Sequence, residues 1–187
     1  VADNNVTLDN GSVWEATSSV AQTLQSLRGG STADAAGILN MVDNSGDITI
    51  ENYSGNTVVW YDKVALGDFG DSGNITINKA AEGSAITLMT DNTGITAFNG
   101  IYKRSDVVKA MQALANKLYY TEAVDGVTNL NGFVQVAEGL TTASKTIALG
   151  EMTFDKANCG QGQIGNDVEL DPDPQDKYPT APNSGTY

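Results

Sequence analysis

Histidine is missing from this 187-residue chain and cysteine occurs once. Without histidine the usual general base, the commonest metal ligand and the Ser/His/Asp and Cys/His triads are all excluded. Only 10 Lys and Arg stand against 23 Asp and Glu, a formal net charge of −13. Such a surface lacks the basic footprint that neutralises phosphates, which excludes nucleic acid as a partner. Cys159 has no second cysteine to pair with, so packing and backbone ladders must hold the fold. Its setting beside Gly160 in a polar segment reads as incidental, the alternative being a reactive or intermolecular thiol. Apolar runs are short, as in Val58-Val59-Trp60-Tyr61, against the ~20 residues of a membrane helix. The opening residues, Val1-Ala2-Asp3-Asn4-Asn5, have neither the basic nor the apolar part of a signal peptide. A secreted chain would then have had its signal removed or carried upstream.

What the chain does have is 20 glycines and an abundance of Asn, Ser and Thr, with charged residues at 18%. Scarce lysine, abundant Thr and Asn and an acidic balance point to an extracellular or cell-surface protein. The length allows one domain with a continuous core, or a stretch of a longer repeat array.

Repeats are the most informative feature. Ser45-Gly46-Asp47-Ile48-Thr49-Ile50-Glu51-Asn52 returns 27 residues later as Ser72-Gly73-Asn74-Ile75-Thr76-Ile77-Asn78-Lys79. Each copy leads through a glycine turn, at Gly55 or Gly83, into a second β-rich run, Thr57 to Tyr61 or Ala85 to Met89. With one inserted residue Val58 aligns with Ile86 and Trp60 with Leu88, which keeps the same face inward in both copies. Weaker echoes are Val6-Thr7-Leu8 running through Asp9-Asn10-Gly11-Ser12 to Val13-Trp14-Glu15-Ala16, and Phe133 to Val136 followed by Thr146 to Leu149, a turn, and Met152 to Phe154. Strands this short bury little alone and bury a continuous face when stacked. Stacking predicts that Ile48 and Ile50 lie beside Ile75 and Ile77 in parallel register.

Two segments depart from this pattern. Ser105 is placed to cap a helix, Asp106 suits its first turn, and Val107, Met111, Leu114 and Leu118 form a stripe at i, i+4, i+7 and i+11. An amphipathic helix of about four turns is therefore expected near 105–120, ending around Tyr119 to Glu122 and packing on the side or end of the stack. Ser19 to Arg28 is open between helix and strand, since Val20, Leu24 and Leu27 suit a helix stopped at Gly29-Gly30 while the surrounding pattern favours a strand. Residues 171–187 hold all four prolines and read as an extended tail or linker after a 1–170 domain. Contacts of this tail with a second copy would give head-to-tail self-association.

The run Asn5-Val6-Thr7-Leu8-Asp9-Asn10-Gly11-Ser12-Val13-Trp14-Glu15-Ala16-Thr17 resembles the strand-turn-strand rung of autotransporter-type adhesin passengers, secreted β-helical surface proteins of diderm bacteria. The copies at 45–55 and 72–83 are similar to repeats in such proteins. The resemblance covers roughly half of the chain and implies an all-β, right-handed parallel β-helix or β-solenoid, here with one inserted amphipathic α-helix. With no barrel translocator following, the chain is expected to be a fragment or a processed product.

Right-handed β-helices also include enzymes that cut polysaccharides with acid pairs, or with a basic residue and calcium. The candidate acids are Asp43 with Asp47 and Asp68 with Asp71, both in glycine-rich turns where aspartate ordinarily bonds its own backbone amides. Arg28 and Arg104 are the only guanidinium groups and lie on different segments, so a transition-state clamp is poorly supplied. Asp68, Asp71 and Asn74 offer oxygen ligands at spacing suited to calcium but lack the closing bidentate glutamate of an EF-hand loop. Trp14 and Trp60 are expected to pack within rungs, with one of Trp60 and Tyr61 facing solvent, and exposed tryptophan as a sugar-stacking platform is the alternative. Val58 to Tyr61, β-prone and uncharged, belongs in an interior rung rather than at an edge.

The expectation is thus a non-catalytic extracellular structural or adhesive protein with no catalytic residue, cofactor or metal. A subunit of a self-assembling extracellular filament is the first alternative, and a polysaccharide-degrading enzyme the second. Expected partners are other copies or further rungs, or a host or cell-surface glycan or protein, with no nucleic acid and no membrane span.

Overall fold

The computed structural model describes residues 4–62, 69–92, 104–141, 143–165 and 168–170. The strands are β1 (Asn5–Thr7), β2 (Val13–Glu15), β3 (Gln22–Arg28), β4 (Gly37–Asn40), β5 (Ile48–Ser54), β6 (Asn56–Trp60), β7 (Ile75–Ala80) and β8 (Ser84–Asp91). The helix α1 (Arg104–Ala115) follows, then β9 (Leu118–Tyr120), β10 (Leu130–Ala137), β11 (Thr146–Asp155), β12 (Gln161–Ile164) and β13 (Glu169–Leu170). The chain is mostly β with this single helix among the described residues, and its strands share one curled, mixed sheet.

That sheet contains two parallel ladders. Odd-numbered strands β1, β3, β5, β7 and β9 pair in sequence on one side, and β2, β4, β6, β8 and β10 on the other. The internal repeat fixes the middle of the first ladder: Ile48 pairs with Ile75 and Ile50 with Ile77, in parallel, as the spacing predicts. β-Branched residues at alternate positions favour a half-buried pleated surface, and the burial of β5 alternates accordingly. Leu24, Ile50, Ile77 and Tyr120 form one buried column, and Leu39, Val59, Leu88 and Val134 form a facing one. Each such side chain contributes about 1.5–3 kcal/mol of burial, so the column is the main source of stability.

Both glycine turns adopt the left-handed conformation, Gly55 and Gly83 each at φ 82°. The second turn is longer than the aligned sequences imply. Tyr53 pairs with Ala80 and Asn56 with Ala85, so two residues are inserted rather than one. Val59 therefore matches Leu88 and Trp60 matches Met89, one residue away from the expected alignment. The extra residues close a turn in which Ser84 donates both N–H and Oγ to the Ala81 carbonyl, at 3.1 and 2.6 Å. Because side chains alternate, the one-residue correction moves Trp60 to the outer face.

A purely parallel solenoid is not what closes the C-terminal end. β10 and β11 pair antiparallel, as do β11 with β12, β11 with β13, and β12 with β9. The strand expected to turn between Leu149 and Met152 instead runs unbroken through β11, its first part on β10 and its last part on β12. It bridges the two ladders and satisfies edge groups that a last parallel rung would leave bare. Glycine at position 150 pairs with Val134 at the crossing.

The helix is shorter than its apolar stripe predicts. Val107, Ala110, Met111, Leu114 and Ala115 are buried on one face, packed against β8, β10, β11 and β12. Ser105 lies within the helix rather than at its cap, and Asp106 occupies the first turn. Leu118, Tyr119 and Tyr120 do not close the helix but form β9, held in register on Ile75, Thr76 and Ile77. Pairing of this aromatic tripeptide with β7 wins over continuation of the helical period. Tertiary pairing also decides the open segment: Gln22 to Arg28 is strand β3, between β1 and β5. The tail 171–187 lies outside the described residues.

Candidate interaction surfaces

Rung-to-rung bonding is carried by small polar side chains, which is where the Asn, Ser and Thr of the sequence are spent. Asn52 Nδ2 donates to the Gln25 carbonyl at 3.1 Å, Asn56 Nδ2 to the Gly30 carbonyl at 3.2 Å, and Asn78 Nδ2 to Glu51 Oε1 at 2.8 Å. Asn44 is 1% exposed and joins three successive levels. Its Oδ1 accepts from Ser18 N at 2.6 Å, its Nδ2 donates to the Gly46 carbonyl at 2.8 Å, and its own carbonyl accepts from Gly73 N at 2.9 Å. The levels approach closely there, since a Cβ on Gly73 would sit 2.1 Å from the Gly46 carbonyl oxygen. Sequence reasoning fixed on the neighbouring carboxylates and missed Asn44; the signal was its place in a glycine-bounded turn at the repeat boundary.

The expected acids do not assemble into a reaction centre among the described residues. Asp47 Oδ1 accepts from Asn74 N at 2.9 Å, one repeat further on, so it bonds a backbone amide of the next level rather than one of its own turn as expected. Asp43 and Asp71 are exposed, and Asp68 lies outside the described residues, as does the calcium loop that depended on it. No cluster of acidic or cysteine side chains able to hold a metal occurs among the described residues. Arg104 Nη2 donates to the Val168 carbonyl at 3.1 Å, tying α1 to the C-terminal segment. Arg28 is exposed on β3 and borders a polar groove of backbone turns with Asp9, Asn10, Asn56 and Glu82. Cys159 is exposed, ending the turn at Lys156–Asn158 with φ 59°.

Two surfaces carry apolar side chains. The first lies on the outer face of the second ladder, where Ile38, Val58, Trp60, Met89 and Gln135 floor a recess of about 290 Å³. Gly11, the segment Ala33 to Ala36, Thr141 and Ser144 also line it. Trp60 is half-buried there, whereas Tyr61 is fully buried and donates to the Gly73 carbonyl at 3.0 Å. Of the two side chains, the tryptophan is the one reaching the surface. Its strand β6 is interior, between β4 and β8, as its composition required. Trp14 takes the opposite role, partly buried against the core above Leu39.

The second surface is the N-terminal end of the stack. β1 and β2 are the terminal strands of the sheet path. Between them opens a groove of about 670 Å³ lined by Asn4, Asn5, Val6, Trp14, Ala21, Gln22, Thr23 and Leu24. Gln22 tops the column of Ile48, Ile75 and Leu118, and its Oε1 is buried without a hydrogen-bond partner.

Three tyrosines are held protonated beyond their ordinary range. Burial raises Tyr53 and Tyr61 strongly, and Asp47 adds to the effect on Tyr61. Tyr120 is pushed up to about 12 by burial and by the Glu122 carboxylate, which accepts its hydroxyl at 3.0 Å.

No family model, curated protein or solved structure matches this chain.

Proposed function

We propose that the chain is a segment of a right-handed parallel β-solenoid serving as a non-catalytic structural and adhesive element at a bacterial cell surface. The observation that carries this reading is the run of strand pairs in two parallel, in-register ladders, joined level to level by asparagine side chains. Parallel strands linked by crossovers in one sheet are right-handed in about 98% of cases, which supports the hand. A stack of this kind resists bending because each level is bonded to both neighbours, and it displays its turns on the outside. The motif at Asn5 to Thr17 and the Thr- and Asn-rich, lysine-poor composition support the passenger-like, extracellular assignment.

The recess at Trp60 is the contact surface that best suits adhesion. An indole beside Met89 and Val58, rimmed by Gln135, Thr141 and Ser144, fits a neutral sugar ring, which offers one apolar face and hydroxyls around it. Among the described residues its lining has no cation and includes Asp34, so an acidic glycan is disfavoured. The test is a panel of immobilised neutral and acidic oligosaccharides probed with the wild-type chain and Trp60→Ala, with reducing-end release measured in parallel. Retention on neutral sugars that Trp60→Ala loses, without new reducing ends, is the expected result. Release of reducing ends would establish an enzyme, and equal retention of both proteins would remove the recess from the reading.

A further inference from the structure

We infer that the fork at which β11 leaves β10 for β12 is a binding site for a small apolar carboxylate, with Lys156 as the cation that receives the acid group. The inference is independent of the adhesive reading and shares no lining residue with the recess at Trp60.

The cavity follows from the crossing strand. β11 pairs with β10 as far as Glu151, opposite Phe133, and from Met152 onward it pairs with β12. Leu130, Asn131 and Gly132 pair with β8 on one side and have no partner on β11. A cleft of about 590 Å³ opens where the two strands part. That lies within the ~300–1,000 Å³ of ordinary small-molecule sites. Two stretches of chain build the cleft, 123–133 and 151–156, and both are described throughout together with their neighbours along the chain.

Its floor is apolar because the fork opens onto the inner face of the sheet. Alternation along β11 buries Met152 and sets Phe154 against the core, while Glu151 and Thr153 are exposed on the other face. Gly132 leaves the room they occupy: a Cβ there would lie 3.0 Å from Phe154 Cζ and 3.2 Å from Met152 Sδ. Ala123 and Leu130 are buried beside them. The Phe154 ring meets Tyr120 edge to face, centroids 5.3 Å apart, so the core fixes the position of the floor.

The charge of the site is set by Lys156. Its ammonium lies at the end of the short turn Thr121–Asp125, 3.3 Å from where a Cβ on Gly126 would be, and lines the same cleft. Two carboxylates near it along the chain or in that turn are engaged elsewhere. Asp155 accepts from Ala157 N and Asn158 Nδ2, each at 2.9 Å, and Glu122 accepts the Tyr120 hydroxyl at 3.0 Å. Glu151, the acid of the described lining, projects from the opposite face of the strand, and Lys156 has no ion pair among the described residues. An ammonium beside an apolar floor is matched by a ligand with one carboxylate and an apolar body. A free α-amino acid is matched less well, since its own ammonium, next to its carboxylate, would be brought towards Lys156.

Calorimetric titration of the full chain with butanoate, hexanoate and octanoate, and with octanol as the uncharged control, tests this. Methyl resonances of methionine locate the site, because Met152 lies in the cleft, Met89 in the recess at Trp60 and Met41 in the core. Affinity is expected to rise about three- to fourfold for each methylene that the floor covers. The Met152 methyl resonance should move with saturation while those of Met41 and Met89 stay in place. Octanol should bind about tenfold more weakly than octanoate, and Lys156→Met should weaken octanoate by a similar factor and leave octanol unchanged. Lys156→Arg keeps a cation and should keep octanoate. Absence of binding, equal affinity for octanoate and octanol, movement of Met89 instead of Met152, or full octanoate affinity in a folded Lys156→Met protein overturns the proposal. Lys156 is exposed, and a melting curve checks the variant; should it fail to fold, the octanoate and octanol comparison on the wild-type chain decides.

Discussion

Replacing Asn44 separates the level-to-level hydrogen bonds from the apolar columns. Asn44→Ala removes the acceptor for Ser18 N and the donor for the Gly46 carbonyl, both within a turn where glycines bring the levels into contact. An unsatisfied buried group costs about 1–3 kcal/mol, and the Ser18 amide, being only part-buried, recovers some of this from water. A loss of about 2–4 kcal/mol is expected. For a chain of this size that lowers Tm by about 2–4 °C per kcal/mol. Asn44→Asp is the sharper test because it keeps the acceptor and turns the donor into an oxygen facing the Gly46 carbonyl. Burial and that carbonyl both favour the neutral acid, so the folded-state pKa of the new carboxyl is raised above its unfolded value of about 3.9. Stability contributed by the protonated form is complete below the unfolded pKa and is lost as pH rises towards the folded one, at about 1.4 kcal/mol per unit. Urea midpoints of the three proteins between about pH 5 and pH 8 supply the measurement, the lower limit being set by the pI of about 4.1. The Asn44→Asp deficit relative to wild type should widen with pH and then level off. A flat deficit together with an Asn44→Ala loss under about 0.5 kcal/mol would refute the assignment of Asn44 as the joint between levels.

Glycine substitutions should divide by what surrounds them. Gly73→Ala, whose Cβ would meet the Gly46 carbonyl oxygen at 2.1 Å, should lower the melting temperature far more than Gly83→Ala, which meets nothing within 4 Å and has only its φ of 82° against it, about 1–2 kcal/mol. Leu114→Asp places a charge in the buried face of α1 and should cost more than about 3 kcal/mol, while Lys109→Ala on the exposed face should stay within about 0.5 kcal/mol in thermal melts. Phenolate absorbance on raising pH should show a late group of tyrosines that includes Tyr53, Tyr61 and Tyr120, because their folded-state pKa values lie above the unfolded value of about 10. Stability should be intact below about pH 10 and fall as pH rises through the folded values, so unfolding that accompanies the late absorbance is the expected observation.

The β character and the register of the middle repeat were legible because Ile48-Thr49-Ile50 and Ile75-Thr76-Ile77 repeat with their glycine turns attached. Alternation is a local property, and the chain states it locally. The neighbouring run was misread by one residue because the length of a turn is set by its closure, here the double donation of Ser84 to Ala81, which composition alone does not count. Leu118 illustrates the same limit from the other side. It continues the helical stripe of Val107, Met111 and Leu114, and it pairs equally well with Ile75; the partner strand decides, and the partner lies more than forty residues away. Trp60 reached the surface through that register shift, so its candidacy as a contact was legible only as an alternative. Gln22 carried no signal at all, because its orphaned oxygen exists only where two ladders end together.

The helix and the antiparallel strands are better understood as one device than as an interruption and an irregularity. α1 arises between β8 and β9, on the last parallel level, and its buried face meets β11 and β12 as well as β8 and β10. At its C-terminal end the fit is tight: a Cβ on Gly162 of β12 would lie 2.5 Å from the Ala115 carbonyl oxygen. Gln112 reinforces the joint, its Oε1 accepting from Ile164 N at 3.1 Å and its Nε2 donating to Gln163 Oε1 at 3.1 Å. A parallel stack has no internal reason to stop, since every level presents the next with the same row of donors and acceptors. Stopping requires strands that run the other way and an apolar body to cover the column ends, and β11, β12 and α1 supply these together. Both needs are met at the end where β11, β12 and α1 lie, which gives the stack a polarity that its repeats alone would not create.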